Sequence, residues 1–166
     1  MIDATQYREI KFTVYGTPAP QGSMKAFVIR GQARLTSDNK KLKPYRQEVS
    51  GAALVARAEA GYTDVFAGKH VPVTATYRFF FERPPSIPRK RICHVVKPDL
   101  DKLVRSTTDA LTGIIFADDA QICGLPGTAK FYGSPARVEI IIRIETVEQA
   151  TPELFGNYPF NSRGEK

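Results

Sequence analysis

Apolar and polar side chains alternate in several segments of this chain, and the alternation predicts strands. Residues 9–15 (EIKFTVY) and 136–146 (ARVEIIIRIET) alternate as strands with one buried face do. Residues 71–82 (VPVTATYRFFFE) alternate and then become continuously aromatic, which favours a central strand or one at a subunit interface. Residues 121–132 predict a further strand, interrupted by a Gly-Leu-Pro-Gly sequence at 124–127.

Two segments have the apolar period of a helix. The first begins at Pro44, which fits the first turn of a helix, and ends at Gly61. The second begins near Leu100 and ends at Gly113. The apolar stripes, at spacings of three and four residues, are Tyr45, Val49, Ala52, Ala53, Ala56 and Ala60 in the first helix and Leu100, Leu103, Val104, Thr107 and Leu111 in the second. Both stripes predict docking on a core.

Together these elements predict an α+β fold, with a mixed β-sheet of about five strands and two main helices. Residues 24–30 and 32–36 add a short hairpin joined at Gly31. Since 166 residues, 42% of them hydrophobic, suffice for one core, we expect a single domain over residues 1–166. The periodicity is lost over residues 147–166, which predicts a flexible or partner-bound tail.

Charge and cysteine content narrow the functional class. A net charge of +7 and a pI near 9.5 favour a polyanionic partner, although a merely soluble basic protein would carry the same charge. Cys93 and Cys123 form no CxxC spacing, and with His70 and His94 they give no credible zinc ligand set. We expect ordinary thiols in a reducing compartment.

Targeting and membrane signals are missing from the pattern. The first residues, MIDATQYREIKF, carry charges where a secretory leader needs an apolar run. No stretch approaches the roughly 18 apolar residues of a membrane helix. We therefore expect a cytoplasmic protein that does not contact a membrane.

Acidic residues concentrate between residues 97 and 121. They form two pairs with a fifth aspartate between them: Asp99, Asp101, Asp118, Asp119 and Asp109. Crowded carboxylates raise one another's pKa unless a positive charge lies among them. A hard divalent cation held by oxygen ligands supplies that charge, so the region predicts a magnesium site.

Helical geometry indicates how such a site would form. At about 100° per residue, Asp101 and Arg105 lie on one flank of the second helix. Asp99 at the N-cap can swing towards Asp101, and a tight return after Gly113 can bring Asp119 beside them. Three carboxylates, waters and a phosphate oxygen would complete one or two Mg²⁺ shells. Arg105 would orient a carboxylate or meet charge on the phosphate.

Each acidic residue also has a structural interpretation. Asp99 can be a helix cap, Asp101 and Arg105 an ion pair four residues apart, and Asp118-Asp119 a turn. A calcium loop is poorly supported, because the central Gly and closing Glu of the EF-hand are missing. The residues alone leave the metal site and the structural interpretation open.

Basic residues surround the acidic region. Residues 83–91 combine three prolines with four basic side chains, which predicts a mobile loop that grips a phosphate backbone, with a plain solvated loop as the alternative. The candidate DNA contacts are Lys25, Arg83, Arg89, Lys90, Arg91, Lys97 and Lys102.

The acidic region resembles the motif of the RusA family of Holliday junction resolvases from phages and prophages, which runs Asp-x-Asp-Asn-Leu-x-Lys, then Asp-Ala-Leu within a helix, then Asp-Asp-x-Gln. The matching segments are Asp99-Leu-Asp101-Lys-Leu-Val-Arg105, Asp109-Ala-Leu111 and Asp118-Asp119-Ala-Gln121. The turn Gly16-Thr-Pro-Ala-Pro-Gln-Gly-Ser23 also looks like the N-terminal loop of phage members.

The resemblance implies metal-binding carboxylates at Asp99, Asp101 and Asp119, with Asp118 beside them and Arg105 as a further catalytic residue. It implies a RusA-like homodimer that uses Mg²⁺, with Mn²⁺ as a substitute, to cut two opposed strands of a four-way DNA junction during recombination and repair. Two catalytic sites suit a symmetric cut.

Two departures from the family motif bear on rate and substrate preference. Arg105 replaces the usual lysine, so it keeps the charge but not the compact ammonium or the readiness to lose a proton. Lys102 replaces the frequent Asn. A non-catalytic branched-DNA-binding protein, and a metal nuclease that acts on flaps or forks, are the alternative functions.

Overall fold

The computed structural model describes residues 8–22, 24–29, 32–37 and 39–144, with the backbone alone for 24–29 and 33–37. Its elements are β1 (Arg8–Tyr15), β2 (Met24–Ile29), β3 (Gln32–Ser37), α1 (Leu42–Glu59), β4 (Val73–Phe81), α2 (Leu100–Leu111), a 3₁₀ turn (Asp119–Gln121), β5 (Ile122–Gly124), β6 (Ala129–Tyr132) and β7 (Arg137–Ile144). The predicted α+β class is confirmed. The predicted tail over residues 147–166 lies outside the described residues.

Strand β4 is the centre of a mixed five-stranded sheet. β7 pairs antiparallel with one edge of β4 and with β1 on its own outer edge. β5 and β6 pair parallel with successive parts of the other edge of β4. The predicted central strand is therefore confirmed, and Val73–Tyr77 are buried on both faces of the sheet. β2 and β3 form the predicted hairpin as a separate two-stranded sheet.

Both helices contribute to one hydrophobic core with the sheet. The inward side chains Val73, Ala75, Tyr77 and Phe79 of β4 are completely buried. The stripe of α1 buries Tyr45, Val49, Ala53 and Ala56, as its spacing predicts. α1 begins at Leu42, so Pro44 still lies in the first turn, where its missing N–H leaves no helical hydrogen bond unmade. No described helix has the length and apolar character needed to cross a membrane.

Helix α2 is held from two sides by hydroxyl groups. The Tyr45 hydroxyl of α1 lies 2.8 Å from Thr107 Oγ1, and the Tyr77 hydroxyl of β4 lies 3.1 Å from Thr108 Oγ1. The Ser50 hydroxyl of α1 donates to the Ala110 carbonyl at 2.8 Å. These bonds fix both the position and the rotation of α2, because they engage adjacent residues of its buried face. The helix ends at Leu111, slightly before the predicted Gly113, which adopts a positive φ of 78°.

We expect Thr107→Val to destabilise the protein more than Tyr45→Phe does. The valine leaves the buried Tyr45 hydroxyl without its described partner, at a cost of about 1–3 kcal/mol. The phenylalanine leaves Thr107 Oγ1 donating to the Leu103 carbonyl at 2.9 Å, so its cost should be about 0.5–1.5 kcal/mol. Urea denaturation of both variants measures the difference. Equal losses, or the reverse order, would contradict this account of the contact between α1 and α2.

Candidate metal centre

An open cleft of about 860 Å³ lies along the exposed flank of α2. Asp101 and Arg105 line it from α2, and Asp119 lines it from the 3₁₀ turn. Leu125 and Thr128, from the loop between β5 and β6, form part of its wall. Three of the four residues predicted to be catalytic therefore line one cleft.

The orientation of Asp101 and Arg105 follows from the buried stripe of α2. Leu103 and Thr107 are completely buried, whereas Asp101 and Arg105, one turn apart on the other flank, are exposed. Asp101 and Arg105 form no ion pair with each other, so the i,i+4 pair of the structural interpretation is not made. Neither Asp101 nor Asp119 pairs with a cation among the described residues. Both residues nevertheless line the cleft.

The 3₁₀ turn that carries Asp119 is closed by a capping box. Asp118 Oδ1 accepts from the Ala120 amide at 2.9 Å, and Gln121 Oε1 accepts from the Asp118 amide at 2.8 Å. The Gln121 side chain also donates to the carbonyls of Gly68 and Val71 at 2.6 and 2.8 Å, which anchors the turn. Asp118 therefore acts as the cap of this turn and does not line the cleft.

Asp99 is the N-cap residue of α2, as expected, but its carboxylate is turned to a lysine. Its side chain makes no capping hydrogen bond and lies 2.9 Å from Lys102 Nζ. The hydrogen bond from Lys102, and then its positive charge, hold the pKa of Asp99 below its usual range. The carboxylate of Asp99 thus has its counter-charge from a lysine of the same helix end.

The three predicted carboxylates are therefore only partly brought together. Among the described residues, no group of three or more His, Cys, Asp or Glu side chains is close enough to hold a metal ion. Asp101 and Asp119 share the cleft, and Asp99 lies outside its lining at the start of the same helix. A rotation of the Asp99 side chain away from Lys102 would be needed for it to join them.

A further carboxylate in the cleft already has a counter-charge. Asp109 lines the cleft and forms an ion pair with Arg46 of α1. Arg46 Nη2 also donates to Gln21 Oε1 at 2.6 Å. Arg46 lies outside the apolar stripe of α1, and nothing in its spacing indicates this partner from the sequence. Asp109 thus contributes to the packing of α1 on α2 and is less available to a cation.

Lys130 is a positioning residue that sequence reasoning missed. Its ammonium donates to the carbonyls of Val96 and Pro98 at 2.9 and 2.6 Å. Pro98 directly precedes Asp99, so β6 fixes the course of the chain as it enters α2. A single lysine within a short strand gives no sequence signal for such a contact.

Arg83 has an internal role in the basic loop. Its Nη1 donates to the carbonyls of Pro88 and Arg91 at 2.6 and 2.7 Å, and its guanidinium lies 5.1 Å from the centre of the Tyr132 ring. These contacts tie both ends of the loop to each other and to β6. The loop that the sequence predicted to be mobile is thus organised around one of its own arginines.

The other candidate DNA contacts differ in how far they are engaged. Arg89, Lys90, Arg91 and Lys97 are exposed, and Lys102 pairs with Asp99. Lys25 lies in β2, where the side chains are outside the described residues. The exposed cations before α2 and the free carboxylates in the cleft put opposite charges on neighbouring parts of the chain.

Comparison with known proteins gives a family match that covers most of the chain, including the cleft. Residues 16–143 match the family profile described as "Endodeoxyribonuclease RusA". The chain is also 31% identical over 144 residues to "Uncharacterized protein YqaN" of Bacillus subtilis strain 168, which covers 81% of this chain and 95% of that protein. The name of this relative assigns no function. The family match includes both helices, the cleft and four strands of the five-stranded sheet, and begins directly after β1.

We expect Lys102→Met to raise the pKa of Asp99 towards the usual value, because the hydrogen bond and the charge that lower it are both removed. Carboxyl ¹³C NMR titration measures this pKa directly. Lys43→Met, which removes a lysine from α1, is the matched control. An Asp99 pKa that is the same in both variants would contradict the ion pair.

We expect Lys130→Met to loosen the start of α2 without disrupting the sheet. The Leu103 amide, which donates to the Asp99 carbonyl at 3.2 Å, reports on the first turn. Its hydrogen exchange should become roughly five- to tenfold faster, since two hydrogen bonds from a charged donor are lost. Lys130→Arg keeps charge and donors and should restore much of the protection. Faster exchange in β4 and β7 to the same extent would indicate global destabilisation instead.

Proposed function

Because the chain belongs to the RusA family of endodeoxyribonucleases, we propose that it resolves Holliday junctions by metal-dependent, paired cuts in two opposed strands. The observation that carries this proposal is the shared cleft, in which Asp101, Asp119 and Arg105 meet. The two carboxylates have no cationic partner among the described residues. Free carboxylates facing phosphate would weaken a simple DNA-binding surface, but they suit a nuclease that binds a cation between itself and the DNA.

The donor set fits a hard divalent cation. Carboxylate oxygens are the ligands that Mg²⁺ prefers, and we propose that Asp101, Asp119 and Asp99 hold it, with Mn²⁺ as a substitute. Asp118, whose Oδ1 accepts from the Ala120 amide, is proposed to lie beside this set, and Asp109, which is paired with Arg46, is not proposed as a ligand. Bound there, the cation supplies an activated water for attack on phosphorus and stabilises charge on the leaving oxygen.

Residues of the chain itself hold the phosphate and compensate its charge. The guanidinium of Arg105 suits stabilisation of charge on the scissile phosphate, which is the role we propose for it. Lys102, which pairs with Asp99, adds positive charge at the same helix end. The exposed side chains Arg89, Lys90, Arg91 and Lys97 extend the positive surface along the DNA backbone.

Paired cutting requires two active sites. A homodimer places two copies of the cleft in a two-fold relation, which matches the two opposed strands of a four-way junction. We therefore propose that the functional unit is a dimer of single-domain chains. Flaps and replication forks offer the same backbone contacts as a junction, and the test below includes them.

The proposal is tested by cleavage of an end-labelled four-way junction, a flap, a fork and a linear duplex of the same sequence, each with Mg²⁺ and with EDTA. We expect symmetric paired nicks that are confined to the junction and are abolished by EDTA. Cutting of flaps or forks in preference to the junction would contradict the resolvase assignment. Tight junction binding with no cut under Mg²⁺ or Mn²⁺ would contradict the nuclease assignment.

We expect Asp101→Asn to reduce cleavage at least about 100-fold while junction affinity changes little, because the amide keeps the shape of the side chain but loses the charge that holds a cation. Cleavage is measured at saturating junction, and affinity by fluorescence anisotropy in EDTA. Asp64→Asn removes an exposed carboxylate that does not line the cleft and serves as the control. A loss of affinity as large as the loss of cleavage would mean that Asp101 is structural.

A further inference from the structure

A second groove, of about 670 Å³, lies on the solvent side of the first half of α1. Its polar lining includes Lys40, Lys43, Arg46, Gln47 and Ser50. No acidic side chain is among the described residues that line it. With Asn39, three cations and three neutral hydrogen-bonding side chains share one concave surface.

The positive charge of this groove is not neutralised by α1 itself. The acidic residues of the helix, Glu48 and Glu59, do not line the groove. The Glu48 carboxylate is turned instead towards Gly16, close to where a β-carbon on that glycine would lie. Lys40 and Lys43 are exposed and form no ion pair with another described residue. The lysines therefore remain available to an external anion.

The groove adjoins the nuclease cleft across the contact between the helices. Arg46 lines the groove, Asp109 lines the cleft, and the two side chains form an ion pair. Ser50, also in the groove, donates to the Ala110 carbonyl beside Asp109. A polyanion that leaves the cleft over α1 would therefore meet the cations of the groove next.

We propose that this groove binds the phosphodiester backbone of a duplex arm of the branched DNA substrate. The inference rests on the proposed function, because the arm is taken to extend from the cleft. Lysines together with neutral amide side chains such as Gln47 commonly contact phosphate and position a protein on DNA, whereas the Ser50 hydroxyl already donates to the Ala110 carbonyl. The groove contains no aromatic side chain among its described lining residues, so base stacking is not its chemistry.

None of these groove residues is among the seven candidate DNA contacts named from the sequence, although Lys40 and Lys43 belong to a basic part of the chain in which some phosphate contacts are expected. Those seven contacts lie in β2, in the loop after β4 and at the start of α2. A contact through α1 lengthens the interaction with DNA without adding base readout. It would favour substrates with duplex arms over short single-stranded ends.

The test is the salt dependence of junction binding, measured by fluorescence anisotropy in EDTA so that no cutting occurs. Each phosphate contact adds about 0.9 to the slope of log K against log salt. We expect Lys40→Gln and Lys43→Gln each to reduce that slope by about 0.9, and the double variant by about twice as much. Lys11→Gln removes an exposed lysine of β1 that does not line the groove, and it should leave the slope unchanged.

An arm-length series provides a second readout. We expect the junction affinity of the wild type to fall once the arms become too short to reach the groove. The affinity of the Lys40/Lys43 double variant is already low with long arms, so it should fall little at that length. The groove proposal would be overturned if the double variant had the same salt slope and the same arm-length profile as Lys11→Gln. If the wild type still binds and cuts junctions in that case, the proposed function stands. Failure of the wild type to bind junctions would overturn both proposals.

Discussion

Two buried tyrosine hydroxyls determine where helix α2 lies. Tyr45 from α1 and Tyr77 from β4 meet the adjacent residues Thr107 and Thr108, so α2 is bonded to both of the layers that enclose it. Burial raises the pKa of both tyrosines well above the usual range, and they remain neutral hydroxyls. Since adjacent residues of a helix point about 100° apart, two such bonds fix its rotation as well as its position. This constraint therefore determines which flank of α2 is exposed and contributes its acidic residues to the cleft.

The chemistry of the cleft comes from the carboxylates that the fold leaves unpaired. Asp109 is neutralised by Arg46, and Asp118 is used as the cap of its turn. Asp99 is held by Lys102, a partner that solvent and a competing cation can both reach. Asp101 and Asp119 have no such partner among the described residues. At the proposed metal site, a divalent cation would therefore meet two carboxylates without a cationic partner, and it would have to compete with a lysine for the third.

Sequence reasoning identified the elements and most of the cleft, but not the side-chain partners. Period and burial are encoded locally, so the central strand β4 and the stripe of α2 could be predicted. The pair formed by Arg46 and Asp109 joins residues 63 apart, and the bond from Lys130 to Pro98 spans 32 residues. Such partners depend on how the elements dock. The ion pair between Asp99 and Lys102 was not predicted, although the two are three residues apart. Helical spacing allows this contact, but it does not determine whether the Asp99 side chain turns to Lys102 or to Asp101.

The central claim is that α2 and the 3₁₀ turn build one cation site, and its most direct test is crystallographic. Crystals of the protein soaked in Mn²⁺ would show anomalous density at any bound ion. The account predicts a peak in the cleft, coordinated by carboxylate oxygens of Asp101 and Asp119, with Asp99 rotated away from Lys102. A cleft without density at saturating Mn²⁺, or an ion bound elsewhere while Asp101 and Asp119 stay unliganded, would contradict it.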